Sequence, residues 1–227
     1  MAKKPIDYLA RGMCALLLFV AAQGMALAQS EQQALVNKAE KSLSNFLRDP
    51  DMTWLQQHLK EAKGVIIAPE VVKAGFIVGG SGGRAVLLAR DPHTGKWGGP
   101  AFYTLATASV GFQAGVSVSE VVTLVMTDKA MNAMLAPSAK LGGDASIAAG
   151  PVGAGASSAL LADFISFARA KGVYGGLNLD GSVVSVSNEW NDAYYKPGTL
   201  PPDILIRMTV HNKGAGKILA DVAHASK

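Results

Sequence analysis

The hydrophobic pattern of the chain changes from a helical period to a strand period near residue 64. Between residues 31 and 47, apolar side chains recur every three or four positions and charged ones occupy the other side, which predicts an amphipathic helix. The sequence Asp49-Pro50-Asp51 interrupts this pattern, and the positions of Leu55 and Leu59 predict a second short helix after it. The helical segment is therefore predicted to span residues 31–62.

From residue 64 onward, short apolar runs alternate with glycine and proline, which is typical of strands joined by tight turns. Strict alternation over residues 110–118 predicts one strand whose valines share a buried face. Asp180-Gly181 predicts a hairpin between two strand-like segments, and Asp128 is expected to cap a helix that ends at Leu135. A final helix is predicted over residues 213–225. We therefore predict an α+β fold: a strongly bent, antiparallel, barrel-like β-sheet with amphipathic helices at the N- and C-terminal ends.

Residues 1–28 have the three parts of a secretory signal peptide. Lys3, Lys4 and Arg11 form a basic head, an apolar run covers residues 13–22, and the segment ends in Ala26-Leu27-Ala28. The run is shorter than the roughly 20 residues that cross a bilayer. We expect cleavage after Ala28 and export to the periplasm or the cell exterior, with an uncleaved membrane anchor as the alternative. Residues 29–227 are then predicted to form a single domain in the cell envelope, peripheral to a membrane.

The composition excludes several classes of protein. With 49% hydrophobic and 17% charged residues and 25 glycines, the chain is neither disordered nor a coiled coil. One cysteine rules out a disulfide framework and a zinc ribbon. The net charge is +4, of which the first 28 residues contribute half, so the remainder has no basic excess of the kind that binds nucleic acid.

The sequence contains one weak catalytic motif. Residues 79–83 match G-x-S-x-G around Ser81, but the hydrolase elbow needs a helix after the serine, and residues 84–88 have the pattern of a strand. Asp203 and His211 keep the chain order of a triad, so a serine hydrolase remains a weaker alternative. The four histidines show no metal-binding spacing. We therefore expect no enzyme, no cofactor and no metal.

Single basic residues stand on or near glycine turns. Lys73, Arg84, Lys140 and Lys171 are examples. The amides of glycine turns and a neighbouring cation can together bind a phosphate group. These four residues are therefore candidate contacts for the head group of an anionic phospholipid.

Several sequence blocks, in the same order along the chain, resemble the SYLF domain family. They are KGVIIAP at 63–69, KAGFIVGG at 73–80, GFQAG at 111–115, LGGD at 141–144, AAGPVG at 148–153 and KGVYGGL at 171–177. The resemblance implies a domain that binds membrane lipids, phosphoinositides in eukaryotic members, and in some members actin. It also implies that the helix at 31–47 contributes to lipid binding, with Lys41 and Arg48 as candidate contacts.

The residues and the resemblance together favour an exported, non-enzymatic protein that binds anionic phospholipid head groups. The alternative is a structural or adaptor protein of the envelope whose partner is another protein. The predicted export argues against an actin partner. The sequence leaves open whether the first helix packs on the domain or inserts into a membrane, because an amphipathic helix can do either.

Overall fold

The computed structural model describes residues 31–75, 78–110, 115–153, 161–170, 173–174 and 179–227. Helix α1 covers residues 31–48, and a 3-10 turn at Pro50–Met52 leads into α2 (Thr53–His58) and a second 3-10 turn at Leu59–Glu61. The carboxylate of Asp49 accepts a hydrogen bond from the amide of Asp51 at 3.0 Å, which caps the turn that ends α1. The predicted helical segment is present at these positions.

Within the described ranges, nine strands and four more α-helices follow. They are β1 (Gly64–Gly75), β2 (Val78–Arg90), β3 (Trp97–Val110), β4 (Gly115–Val125), α3 (Asp128–Leu135), β5 (Ser138–Lys140), β6 (Ile147–Ala149), β7 (Phe164–Ala170), β8 (Val173–Tyr174), β9 (Val183–Val186), α4 (Asn188–Tyr194), α5 (Pro201–Leu205) and α6 (Gly216–Ala225). The helix that ends at Leu135 is capped by Thr127 rather than Asp128, since the Thr127 hydroxyl accepts the Ala130 amide at 3.1 Å.

The strands form one curled, half-barrel sheet, which confirms the predicted α+β fold. Its order is β5-β9-β3-β2-β1-β4-β7-β6, with β8 also paired to β7. The pairs are antiparallel except β6 with β7, which run parallel. The four long strands β1 to β4 form the centre.

Both faces of the sheet carry a hydrophobic core. On one face, α1, α2 and α6 cover a layer that includes Val65, Val86 and Val122. On the other face, α3 and α5 cover a layer that includes Ile66, Leu87 and Val121. Because successive side chains of a strand point to opposite faces, strands buried on both faces have the continuous apolar runs seen in the sequence.

A bulge in β1 exchanges the two faces partway along the strand. The register shifts between Ile67 and Glu70 against β2, and between Ala68 and Val71 against β4. Before the bulge Ile66 faces the α3 side, whereas after it Val71 does. Gly83 of β2 lies against the bulge, where a Cβ atom would come within 2.2 Å of the Glu70 carbonyl oxygen. Glycine is therefore required at this contact.

Two predictions about the strands are wrong. Val110 and Gly115 belong to β3 and β4, which β2 and β1 separate in the sheet, so residues 110–118 are not one strand. Val116 and Val118 are exposed rather than buried. The turn at Asp180-Gly181 does not join hairpin partners, because β8 pairs with β7 whereas β9 pairs with β3 and β5.

None of the helices in the described ranges combines the length and the apolar character that crossing a bilayer requires.

Candidate functional site

A band of charged side chains crosses the sheet beside α1. Glu70 and Arg84 are register partners on β1 and β2, and Glu120 and Arg169 are partners on β4 and β7. Each of the four contacts a helix on this face. The ammonium of Lys38 in α1, for example, donates a hydrogen bond to the Glu70 carboxylate at 2.8 Å. We call these four strand residues the charged band.

The cations of the charged band are held by neighbouring groups. The Arg84 guanidinium carbon lies 3.8 Å from the centre of the Trp190 ring, and its Nη1 donates to the Ser187 hydroxyl at 3.4 Å. Arg169 donates two hydrogen bonds to Glu120, one of them from Nε at 3.0 Å. Arg84 is thus fixed against α4, and Arg169 against β4.

Helix α1 is sealed against the sheet. Its residues Leu35, Val36, Ala39, Leu43 and Phe46 are buried in the core. The sequence left open whether α1 packs on the domain or inserts into a membrane. In the structure it packs on the domain. Its apolar face is not available to a membrane.

The outer side of α1 is cationic. Lys38, Lys41 and Arg48 are exposed and fall within an arc of about 80°, given roughly 100° per residue. Lys38 is paired with Glu70, whereas Lys41 and Arg48 form no salt bridge within the part of the chain that the structure describes. Glu40 lies on the flank toward α6 and pairs with Lys217. We call Lys38, Lys41 and Arg48 the cationic stripe.

An open cleft lies between the start of α1 and the charged band. It has a volume of about 300 Å³, and its walls carry both signs of charge beside apolar groups: Glu31, Leu35, Lys38, Glu70, Arg84 and Trp190. Its shape and mixed lining suit a polar group that is attached to an apolar chain.

The structure does not bring the predicted site residues together. Lys41 and Arg48 share α1, and Arg84 lies on the same face of the sheet at the charged band. Lys73 is half-buried on the opposite face, between its register partners on β2 and β4. Lys140 is exposed on the edge strand β5. Lys171 lies outside the described residues.

The serine motif does not form a hydrolase elbow. Ser81 lies inside β2, where it pairs with Lys73 and Thr107 of the neighbouring strands. The elbow needs a sharp turn from a strand into a helix. Asp203, the acid that the triad would need, binds Arg207 at 2.7 Å. In the described part of the chain, no three His, Cys, Asp or Glu side chains are placed to hold a metal ion.

Sequence reasoning missed Lys38, Glu70 and Trp190. The helical spacing of Lys38 and Lys41 would have joined the first of these to the cationic stripe. The pairing of Glu70 with α1 had no signal in the sequence, because the bulge in β1 decides which face Glu70 occupies.

Comparison with known proteins identifies the family. Residues 106–225 match the Ysc84 model, described as "Las17-binding protein actin regulator". The chain is 31% identical over 186 residues to SH3 domain-containing YSC84-like protein 1 of Bos taurus, covering 78% of this chain and 54% of that protein. It is 30% identical over 170 residues to LAS seventeen-binding protein 3 of Saccharomyces cerevisiae, covering 70% of this chain and 37% of that protein.

The chain therefore belongs to the Ysc84 family, and the resemblance to the SYLF domain family is confirmed. This is a family of binding and adaptor domains. The chain spans about half the length of the bovine relative and less of the yeast one.

Proposed function

We propose that this protein is an exported, non-enzymatic module that binds membranes containing anionic phospholipids. The observation that carries the proposal is the cationic stripe of α1, whose Lys41 and Arg48 are exposed and form no salt bridge with the described residues, with Asp221 of α6 lining the same cleft as Arg48. A basic side chain near an anionic membrane surface contributes about 1 kcal/mol of binding free energy, which salt screens.

Because its apolar face is buried, α1 does not bind a membrane by inserting into it. An amphipathic helix that inserts must expose its apolar face, and here that face belongs to the core. The proposed role of α1 is electrostatic: it presents cations to phosphate groups from a rigid, packed position. Because α1 is packed on the domain, its cations have fixed positions. A few cations held in this way can bind an anionic membrane even though the net charge of the protein is low.

The signal-peptide pattern of residues 1–28 supports export, and cleavage after Ala28 is part of the proposal. The position of Ser81 inside a strand supports a role without catalysis. Binding to an envelope protein is the second candidate, favoured by the name of the yeast relative, LAS seventeen-binding protein 3, which describes binding to another protein.

Vesicle flotation tests the proposal. The protein recovered from cells that produce the full chain is mixed with vesicles of phosphatidylcholine alone, or of phosphatidylcholine and phosphatidylglycerol in equal parts. We expect flotation with the anionic vesicles and a strong reduction by salt. Equal flotation with both vesicle types would contradict recognition of anionic head groups, and recovery of one protein partner after lipid is stripped would favour the second candidate.

A further inference from the structure

An apolar surface that none of the described residues covers lies beyond the charged band, on the face of the sheet that carries α1. Since side chains alternate along a strand, Val72 shares the face of Glu70, and Val118 shares the face of Glu120. The register sets one row across five strands and a second row beside it. The rows are Val183, Ala106, Gly82, Val72 and Val118, and then Ala108, Gly80, Ala74 and Val116. We call these nine residues the apolar band.

The apolar band faces solvent. Val116 is 71% exposed, Val118 46%, Val72 45% and Val183 39%. Contiguous exposed apolar patches on a folded domain mark binding surfaces. The charged band separates this patch from the core under α1, so the patch is not a frayed margin of that core.

The other face of the same strands is polar. The register partners Lys73, Ser81 and Ser117 lie there, next to Thr107. The Thr107 and Ser182 hydroxyls are hydrogen bonded at 2.6 Å. The apolar character therefore belongs to one side of the sheet only.

The backbone under the middle of the apolar band is already hydrogen bonded on both sides. Over this region β1 lies between β2 and β4, and β2 lies between β1 and β3. Backbone groups that are paired within a sheet carry no large penalty when they leave water, whereas unpaired ones do. The middle of the band can therefore leave water without exposing unpaired backbone groups, whereas β4 at Val116 and Val118 is paired on one side only within the described residues.

The side chains of the apolar band suit hydrocarbon better than a protein partner. The band consists of Val, Ala and Gly, whereas the centres of protein interfaces are enriched in aromatic residues, Met and Arg that fill pockets. Fluid acyl chains adapt to a smooth surface and need no such anchors. The cationic stripe lies on the same face, which adds charge complementarity to an anionic membrane.

We infer that the apolar band enters the acyl-chain margin of an anionic membrane while the cationic stripe contacts the head groups. This inference rests on the proposed function and names the apolar surface that α1 does not supply. The face of β1 to β4 that carries the apolar band contacts the acyl chains. The polar face of the same strands stays toward the head groups and water.

Three substitutions on one strand test the side of contact. Val116→Asp and Val118→Asp place a carboxylate on the apolar band, and Ser117→Asp places the same charge between them on the other face. We expect flotation with the phosphatidylglycerol vesicles to weaken by at most about fivefold for Ser117→Asp, the cost of one carboxylate near the anionic surface, and by about tenfold or more beyond that for each valine variant. Thermal unfolding of each variant confirms that it remains folded.

A probe that leaves the charge unchanged gives a second readout. In a Cys14→Ser chain, an environment-sensitive dye is attached to Val116→Cys or to Ser117→Cys. We expect the anionic vesicles to shift the emission to the blue, with quenching by lipids that carry a quencher in the acyl chain, at position 116 but not at 117.

The outcomes separate the inference from the proposed function. Normal flotation of Val116→Asp together with an unshifted probe at 116 overturns the inference and leaves the proposed function standing. Failure of the unaltered protein to float with any vesicle overturns both. A dimer that Val116→Asp dissociates, with no probe shift on vesicles, assigns the band to a second copy of the chain and overturns membrane entry.

Discussion

The guanidinium of Arg84 stacks on the ring of Trp190, with 3.8 Å between its central carbon and the ring centre. This contact joins β2 to α4 across the charged band, and the Ser187 hydroxyl holds the same guanidinium from the side. Arg84 is thus a fixed element of the surface beside α1. Its planar group suits this stacking in a way that lysine does not.

We predict that Arg84→Ala lowers the free energy of unfolding by about 0.5–1 kcal/mol, the range of a cation–π contact at an exposed site. Urea unfolding followed by circular dichroism measures the change. Lys196→Ala, which removes an exposed cation near the end of α4, is the control and should have almost no effect. Equal stability of Arg84→Ala and the unaltered protein would show that the stacking carries no net energy.

The cationic stripe should govern electrostatic binding. We predict that the double variant Lys41→Gln and Arg48→Gln loses about 2 kcal/mol, or roughly 30-fold, of affinity for phosphatidylglycerol vesicles at low salt. The salt dependence of binding should also become shallower. Lys96→Gln, which removes an exposed cation in the turn between β2 and β3 and outside the stripe, serves as the control. A loss as large for Lys96→Gln would indicate a response to net charge rather than to the stripe.

The burial of α1 predicts a large effect of its core residues on stability. Leu43 is fully buried against the sheet, so Leu43→Ala should lower the free energy of unfolding by about 2–5 kcal/mol. Chemical denaturation of this variant beside Lys41→Ala, on the exposed side of the same helix, measures the difference. A small effect of Leu43→Ala would mean that α1 detaches readily from the sheet.

Asp163 is predicted to make stability depend on acid pH. Its carboxylate accepts hydrogen bonds from the Thr127 hydroxyl at 2.6 Å and from the amide and hydroxyl of Ser146, both at 2.9 Å. These bonds, with Thr127 first, and the ammonium of Lys129 lower the pKa of Asp163 to about 2. Because the pKa is lower in the folded state, the stabilisation is complete above pH 4 or so and is lost as the pH falls toward about 2.

We therefore expect Asp163→Asn to lower the free energy of unfolding by about 1 kcal/mol at neutral pH, after allowance for solvent screening. The amide cannot accept all of the donors that meet at the carboxylate. Unfolding in urea at a series of pH values should show the two proteins converging below pH 4. Asp128→Asn, which removes an exposed ion pair with Lys63, is the control, and a difference that persists unchanged in acid would contradict the assignment.

The elements of the fold were largely predictable, and their pairing was not. The periods of 31–47 and 213–225 predicted helices that the structure contains, because an apolar stripe must be buried against something. The turn at Asp180-Gly181 was also real, with Gly181 at a φ of +78°. A turn sequence, however, reverses the chain without determining which strands pair. The strand after this turn, β9, is hydrogen bonded to β3 and β5.

The candidate site was predictable only in part, for the same reason. The sequence placed Lys41 and Arg48 on one side of a helix, and that geometry holds because the helical period is local. It also named both Lys73 and Arg84 as candidate head-group contacts, but the sheet puts them on opposite faces. Which face a strand residue occupies depends on every bulge before it, and a bulge leaves little trace in the hydrophobic pattern.

Sequence alone determined the helical and strand segments, the signal-peptide pattern and the membership of the family, since each depends on local order along the chain. Only the tertiary structure showed that the apolar side of α1 is buried against the sheet and that its cationic side is exposed. It also decided that Val116 and Val118 face solvent, although their alternation is that of a buried strand. The physical reason is that burial depends on which element covers a face of the sheet. Helix α1 covers this face only as far as the charged band, where it contacts Glu70 and Glu120.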